Sequence, residues 1–493
     1  MKVALPLFWF GCLLVSLSPA VSAKEQLAAL ALVRVQAEFI EISLAQCDEL
    51  LFGDHAPATD GELRQQVGQL VAQGQATMVE TLTAVAISGQ TVTTESVREV
   101  IYPTEFEPPQ TPKEVRSAAG NAKPKLQPRD FAIGPTPSAW DTRDVGSLFE
   151  VTPTIEKDGH TVKVQLMPEI VYHVKNEIWQ EWKDPRGDAH VQMPLFYTLR
   201  CNTTVRTQAG KPLLVATLSP KGPDDLPDPS RKILLFVKCD ILMAITGIKP
   251  SETQAETPDA EADPFAAGSS DHPSEPQRLV RSQVEFIEVS HARYTELMAG
   301  EPKTTNDNAL RERVGELFVK REAVMVDSMM TVGKFGMTTF TKSVTEFTYP
   351  TEYELGELPN AITLDHPDLT DKSKLPDYAT GPCPSGWETR NLGSQFEMEL
   401  DIEAFDGIVM LRFSAEIVHH CGNVTWREWR DRRSHAPIQM PVFYTLGSRA
   451  KAPVVPNQYL MAAVLSPRDA KGFTDPTRKV MVFVKTEILT VSK

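Results

Sequence analysis

A duplicated segment constrains the fold of this chain more than any other feature. Residues 140–197 return as residues 387–444, at an offset of 387 − 140 = 247 residues that holds at both ends. Both copies open on W-[DE]-T-R and close on QMP[LV]FYTL. Because the offset is constant, any insertions and deletions inside the segment cancel. The sequence therefore contains one domain twice.

A β-hairpin is predicted at the centre of each copy. Val162, Val164 and Leu166 alternate with polar residues, which is the period of a strand with one apolar face. Asp158-Gly159 precedes them and is typical of a two-residue hairpin turn. The second copy keeps the same parity and the same turn, at Val409, Leu411, Phe413 and Asp406-Gly407.

Further elements follow from local patterns. LVRVQAEFIEIS, which begins at Leu32, alternates as a strand does, and a short helix follows it. Residues 60–73 have helical spacing, with Asp60 as the N-cap and Gly74 as the stop, and 308–320 repeat the pattern. Strands are predicted at 76–86 and 90–102, and the apolar run 233–237 indicates a strand covered on both faces. Tyr102-Pro103-Thr104-Glu105 favours a chain-reversing turn. The fold class expected is a β-rich α+β fold of two tandem homologous domains, each an antiparallel sheet with one or two short helices.

The sequence divides into four parts. Residues 1–23 are typical of a secretory signal peptide, with an uncleaved anchor as the alternative. The first domain is expected at 24–242 and contains a Pro-rich basic loop at 103–138. An acidic, Pro- and Ser-rich linker at 243–278 is expected to be disordered, and the second domain is expected at 279–490. An export signal favours the periplasm or the outer membrane.

Composition narrows the function classes. The net charge of −15 makes binding driven by nucleic-acid phosphates unfavourable, so no nucleic-acid partner is expected. Beyond the leader, no apolar run has the length of a transmembrane helix, so any membrane contact would require strands closed into a β-barrel. No catalytic or phosphate-binding motif is present. The chain is therefore expected to be neither an enzyme nor a cofactor-binding protein.

Five cysteines follow the leader, and their arrangement leaves two interpretations open. Cys201 and Cys239 lie in the first copy, and Cys383 and Cys421 lie in the second. An exported protein can form the bridges Cys201–Cys239 and Cys383–Cys421, which would leave Cys47 free. The alternative is that all five are buried or free thiols. Their spacing does not suggest a zinc site.

A polar and aromatic cluster is repeated with the spacing H-x-x-N-x-x-W-x-E-W-x-D. Tryptophans beside a carboxylate can hold a sugar or a cation, which would make the cluster a ligand site. The alternative is a structural role, in which the aromatic rings pack beside a stabilising turn. A carbohydrate-active enzyme using the Trp-x-Glu-Trp element is a remote third interpretation. The members are His173, Asn176, Trp179, Glu181, Trp182 and Asp184, and then His420, Asn423, Trp426, Glu428, Trp429 and Asp431.

The order of these segments resembles the secretin domain of type II and III secretion systems. The resemblance rests on VQAEFIEIS, SGQTVTTESVREVIYPT, TRDVGSLFEVTPTIEKDGHTVKVQLMPEI, LLVATLSP and RKILLFVKCDIL, and it covers most of both copies. It implies a β-rich domain whose strands assemble with neighbours. The sequence departs from the family in lacking the N-terminal ring modules and in having only KGPDDLPDPS or RDAKGFTDPT where secretins carry a gate segment.

The resemblance and the leader together favour an exported structural or export component of a bacterial cell envelope. Self-association or binding to other envelope proteins is the expected partner behaviour. The runner-up is a soluble periplasmic binding or scaffolding protein that has lost the pore.

Overall fold

The computed structural model describes residues 31–54, 56–120, 122–184, 186–242, 278–300, 303–371, 377–401 and 408–490. Strands account for 62% of the structure and helices for 11%, which confirms the predicted β-rich α+β fold class. The predicted signal peptide, the linker up to residue 277 and the Asp406-Gly407 turn lie outside the described residues. Within the described part of the chain, no helix is long and apolar enough to cross a membrane.

The first copy contains ten strands and two helices. They are β1 (Leu32–Ser43), α1 (Leu44–Phe52), α2 (Asp60–Ala72), β2 (Thr77–Ile87), β3 (Val92–Glu107), β4 (Glu114–Ser117), β5 (Thr136–Ile155), β6 (Thr161–Asp184), β7 (Gly187–Arg200), β8 (Thr203–Gln208), β9 (Pro212–Leu218) and β10 (Arg231–Leu242). A short 3₁₀ turn at Pro128–Phe131 precedes β5.

The second copy repeats this order. Its elements are β11 (Arg278–Ser290), α3 (His291–Met298), α4 (Asn308–Val319), β12 (Ala323–Lys334), β13 (Thr338–Glu354), β14 (Ala361–Leu364), β15 (Cys383–Asp401), β16 (Val409–Arg427), β17 (Ile438–Val454), β18 (Tyr459–Leu465) and β19 (Arg478–Thr490). The single strand β17 corresponds to β7 and β8 of the first copy.

The predicted hairpin is formed by β5 and β6, but its loop is longer than the two residues predicted, because β5 ends at Ile155 and β6 begins at Thr161. The Asp158 carboxylate closes its turn by accepting hydrogen bonds from the backbone N–H groups of His160 and Thr161, at 3.0 and 2.9 Å. Gly159 has φ 72°, a left-handed conformation that glycine adopts without steric strain. Val162, Val164 and Leu166 are buried, as their alternation predicts.

The helices begin within one residue of their predicted starts. The N-cap of α2 is Thr59 rather than Asp60, because the Thr59 hydroxyl accepts a hydrogen bond from the backbone N–H of Glu62 at 3.2 Å. The chain leaves this helix at Gly74, which has φ 71°. Helix α1 starts with a capping box between Ser43 and Gln46.

Two sequence expectations about the Pro-rich region require correction. The YPTE segment is not a turn, because β3 continues through Pro103. The pairing of β3 with β5 shifts its register between Pro103 and Glu105, which accommodates the proline. The region after it is also not simply an extended loop. Its strand β4 pairs in parallel with β14 of the second copy, and a small apolar cluster covers the pair. Buried members of that cluster are Leu126, Phe131, Ile362 and Leu364.

Both copies contribute strands to two shared sheets. The first sheet has the order β12-β11-β19-β18-β2-β1-β10-β9, and the second has the order β13-β15-β16-β17-β3-β5-β6-β7. Each sheet therefore contains the second copy followed by the first copy, with equivalent strands in the same order. The copies meet where β18 pairs with β2 and where β17 pairs with β3.

The core lies between the two sheets. One cluster of buried apolar side chains draws on β1, β2 and β10 of the first sheet and on β5 and β6 of the second, so the sheets pack face to face. The helices cover the other face of the first sheet. Strand β10 shows both environments, because Leu235 and Val237 enter the core between the sheets while Leu234 and Phe236 pack with the helices.

Replacing Phe149 by alanine tests this layered core. Phe149 is fully buried between the sheets, so Phe149→Ala is expected to lower the free energy of unfolding by about 3–5 kcal/mol. Phe52→Ala is the matched control, because Phe52 is 81% exposed and its loss is expected to change stability by less than about 0.5 kcal/mol. Chemical denaturation followed by circular dichroism measures both, and equal effects would contradict the layered arrangement.

Candidate functional site

The repeated polar cluster does not form a single pocket. In the first copy its members lie along β6, which pairs with β7 over most of its length, and not on a turn. In the second copy the cluster starts on β16 and continues into the segment before β17. Glu181 is exposed, and Glu428 is half-exposed with its carboxylate 3.3 Å from Nε2 of His435. The structure describes the backbone of Asp184 but not its side chain.

The histidine and asparagine of the cluster form the same contact in both copies. His173 Nε2 lies 2.9 Å from Asn176 Oδ1, and the equivalent distance from His420 to Asn423 is also 2.9 Å. Each imidazole packs against the phenylalanine of the QMP[LV]FYTL motif, Phe196 or its equivalent in β17. This repeated local packing fits the structural interpretation of these residues.

A second repeated contact fixes the tryptophan that follows the glutamate. A Cβ atom placed on Gly134 would lie 2.5 Å from Trp182, and one placed on Gly381 would lie 2.6 Å from Trp429. Only glycine permits these indole rings to approach the backbone so closely. Asp431 accepts a hydrogen bond from Trp429 Nε1 at 3.1 Å. Burial opposes the charge on this carboxylate, but hydrogen bonds from the Arg433 and Ser434 backbone outweigh it and hold the pKa of Asp431 below its usual value.

The five cysteines in the described residues are free thiols, so neither predicted bridge is present. Cys239 lies in β10 of the first sheet, whereas Cys201 follows β7 of the second sheet. Burial raises the pKa of the Cys239 thiol to about 12.

The other bridge is excluded by strand register. Cys383 lies ten residues before Gly393, whereas Cys421 lies three residues beyond Val418, the residue that pairs with Gly393. A difference of 10 − 3 = 7 residues separates the two thiols by about 23 Å along the strands, far beyond disulfide reach. Among the described residues, no group of three or more His, Cys, Asp or Glu side chains is placed to hold a metal ion.

The two copies meet along both sheets, and we call this contact the junction. Residues Ala463 and Val464 of β18 pair with Ala84 and Thr83 of β2. In the second sheet, residues 442–449 of β17 pair with residues 93–100 of β3. We call β2 and β3, or their equivalents β12 and β13, the leading edge of a copy. We call β9 and β7, or their equivalents β18 and β17, its trailing edge.

A buried ion pair joins the two copies at the junction. Lys479 of the second copy donates to Glu80 of the first copy, and both side chains are buried. The Ser466 hydroxyl donates to the Glu80 carboxylate at 3.0 Å, and Ser147 donates to it at 3.1 Å. The Ser466 backbone N–H donates to the Ser96 hydroxyl at 2.9 Å. A buried charge without these partners would be strongly unfavourable, so the network fixes the register of the junction.

Two further contacts reinforce the junction. Trp426 of the second copy meets Trp140 of the first in an edge-to-face pair with ring centroids 6.2 Å apart. On the first sheet, Arg34 Nη2 lies 3.2 Å from the Asp307 carboxylate at the start of α4, and both side chains are buried. The desolvation of Asp307 raises its pKa although the charge of Arg34 opposes that change.

Each of the two sheets ends in an outer strand at both sides, one from the second copy and one from the first. Among the described residues, no strand pairs with the outer side of β12 or β13, and none pairs with the outer side of β9 or of residues 195–200 of β7. The start of β7 is different, because Ala189 pairs with Arg427 of β16 in the second copy. Side chains at equivalent positions of the two copies differ in solvent exposure between the junction and the open edge. Thr83 and Val85 are 0% and 1% exposed at the junction, whereas Met330 and Val332 are 52% and 40% exposed at the open edge.

Apolar exposure is concentrated at these two edges. Six of the large apolar side chains exposed in the described structure lie on β12, on β13 or in the turn between them: Val324, Met325, Met330, Val332, Met337 and Phe340. Others lie beside the trailing edge, at Ile178, Trp179, Leu195 and Leu226. The hydrophobic period of the strands does not predict this site. Pairs of charges at equivalent places in the two copies, Glu80 with Asp327 and Lys232 with Lys479, were the signal that could have indicated it.

No protein family model matches the chain, and no curated protein matches it significantly. The chain is similar to the type II secretin GspD from enteropathogenic Escherichia coli, with a TM-score of 0.20 and 15% identity over 43% of this chain and 69% of that one. It is also similar to ExeD of Aeromonas hydrophila, with a TM-score of 0.19 and 13% identity, and it covers 49% of that chain.

Removing the junction lysine tests whether the buried pair holds the copies together. Lys479→Met leaves Glu80 buried without its counter-charge and is expected to lower the free energy of unfolding by about 3–5 kcal/mol. Lys232→Met is the matched control, because Lys232 occupies the equivalent position at the open edge and is half-buried beside Ser219. In dilute solution, where the chain is monomeric, Lys232→Met is expected to change the free energy of unfolding by less than about 1 kcal/mol. Urea denaturation of both variants measures the difference, and similar losses would contradict the assigned role.

Proposed function

We propose that the chain is an exported, secretin-like structural component of a bacterial cell envelope that assembles through its open sheet edges. The observation that carries this proposal is the junction, where one copy of the domain already binds another by edge pairing. The same leading and trailing edges are open at the two ends of the chain. The leader and the repeated secretin-like segments support export and an envelope location.

Exposed apolar edges favour assembly on physical grounds. A sheet edge presents unpaired N–H and C=O groups, and proteins that remain monomeric usually shield it with charges, prolines or covering loops. Here β12 and β13 carry exposed methionine, valine and phenylalanine side chains. Pairing would bury these side chains and satisfy the backbone groups together. We propose no catalytic role for Glu181 and Glu428, because both side chains face solvent.

A soluble periplasmic scaffold without a pore is the second candidate. It is favoured by the short interval between β9 and β10, which closes on itself through the bridge between Lys221 and Pro227. The equivalent interval closes between Arg468 and Thr474. Neither interval has the length of a gate, so the assembly we propose needs no gated channel.

Fractionation of a Gram-negative host that expresses the full chain tests the proposal. We expect the protein in the envelope fraction as assemblies much larger than its 54.7 kDa mass, measured by light scattering after mild detergent extraction. The variant Met330→Lys with Phe340→Lys places charges on the leading edge and is expected to release monomers. Val319→Lys is the control, because Val319 is exposed on α4 and not on the edge strands. A monodisperse periplasmic monomer of the unaltered chain would contradict the proposal.

A further inference from the structure

The two open edges are the separated halves of the internal junction. We infer that the partner of this chain is a second copy of itself, joined head to tail, with the trailing edge of one chain on the leading edge of the next. This inference rests on the proposed assembly function and specifies its partner. Four independent features of the edges support it.

The first feature is strand register. Because equivalent strands keep the offset of 247 residues, the pairing of Val464 with Thr83 at the junction predicts that Thr217 of one chain faces Met330 of the next. In the second sheet, the pairing of 442–449 with 93–100 predicts that residues 195–202 face residues 340–347. Both strand pairs are antiparallel at the junction and would be antiparallel between chains.

The second feature is the buried polar network, of which each edge carries one half. At the trailing edge, Lys232 donates to the Ser219 hydroxyl at 2.9 Å, as Lys479 donates to Ser466 at 2.8 Å. At the leading edge, Ser394 donates to the Asp327 carboxylate, as Ser147 donates to Glu80. Ser343 occupies the position of Ser96. Joining the two edges would therefore place Lys232 against Asp327 and rebuild the network between chains.

The third feature is a pair of exposed tryptophans. Trp179 is 73% exposed beside the trailing edge, and Trp387 is 56% exposed beside the leading edge. Their equivalents at the junction are Trp426 and Trp140, which pack edge to face. Two large indole rings left in water are unfavourable, and head-to-tail joining brings them together.

The fourth feature is a second charge pair. The equivalents of Arg34 and Asp307, which form an ion pair across the junction, are Arg281 and Asp60. Arg281 lies on β11 beside the leading edge, and Asp60 begins α2 beside the trailing edge. A partner of another sequence would have to match the strand register, the lysine, the tryptophan and this charge at once. A second copy supplies all four.

The symmetry of the contact determines the product. The leading and trailing edges are different surfaces, so each joined chain still presents one free edge of each kind. Such heterologous contacts continue until the chains close into a ring, or they extend as a helical filament. Two-fold dimers that pair equal edges are not expected.

Disulfide cross-linking tests the register directly. Thr217 and Met330 are exposed, and they would face each other across the contact, so the double variant Thr217→Cys with Met330→Cys is expected to give a covalent ladder on non-reducing gels. A mixture of the two single variants is expected to give dimers only, and each single variant alone no more than the unaltered chain, which has its own free cysteines. Thr217→Cys with Thr331→Cys is the register control, because Thr331 points to the opposite face of β12.

Charge reversal provides a second, independent readout. Lys232→Asp alone and Asp327→Lys alone are each expected to weaken self-association at least about ten-fold, because each places like charges at the contact. The double variant restores opposite charges and is expected to recover most of that loss. Asp48→Lys, an exposed site on α1, is the control for net charge. Analytical ultracentrifugation measures the association, and circular dichroism confirms that each variant folds.

The outcomes separate this inference from the proposed function. Large envelope assemblies without the ladder, insensitive to charge reversal, would overturn head-to-tail self-association and leave assembly with another envelope protein. Cross-linking of one single variant by itself, retained when Cys383→Ser removes the exposed native thiol, would show that equal edges pair, which also overturns it. A chain that stays monomeric at all concentrations and in the envelope would reject both proposals.

Discussion

The pairing of sheet edges is the interaction on which the rest of the structure depends. Two copies of one β-domain lie side by side because the trailing edge of the second copy satisfies the backbone groups of the leading edge of the first. Backbone pairing alone does not select a register. Lys479 and Glu80 select it, because a slip of one residue would turn one of these charges to the other face of its sheet and leave its partner buried without a counter-charge.

Because two copies are fused in one chain, a contact between the copies needs less intrinsic affinity than the same contact between separate chains. Within the chain, the second copy is held close to the first, so the junction forms at a high effective concentration. A contact between chains has no such advantage and must use its own complementarity. The open edges carry more than unpaired backbone groups. They carry a lysine, a carboxylate, three serines and a pair of tryptophans at the positions whose equivalents bridge the junction.

Local structure was predictable from the sequence, and the joining of the copies was not. The hairpin of β5 and β6, the strand β1 and the helix α2 each follow from a period of two or 3.6 residues and a turn or cap nearby. Which edge of one copy pairs with which edge of the other depends on contacts between residues far apart in the sequence. A local hydrophobic period carries no information about those contacts. The polar cluster shows the same limit. Trp179 and Trp426 occupy the same place in the repeat, yet one is exposed and the other buried, because only Trp426 has the next copy beside it.

Differences between the copies separate residues that serve the fold from residues that serve the contact. Position 83 is threonine at the junction, where its hydroxyl lies 3.1 Å from the Tyr294 hydroxyl, and its equivalent at the open edge is Met330. Position 80 remains acidic, as Glu80 or Asp327, although Asp327 belongs to an edge that no strand of the same chain covers. Lys232, which the proposed contact would place against Asp327, is also kept at an open edge. A lysine and a carboxylate at opposite ends of one chain do not stabilise its monomer through each other, and the head-to-tail contact that we propose would give them a common role.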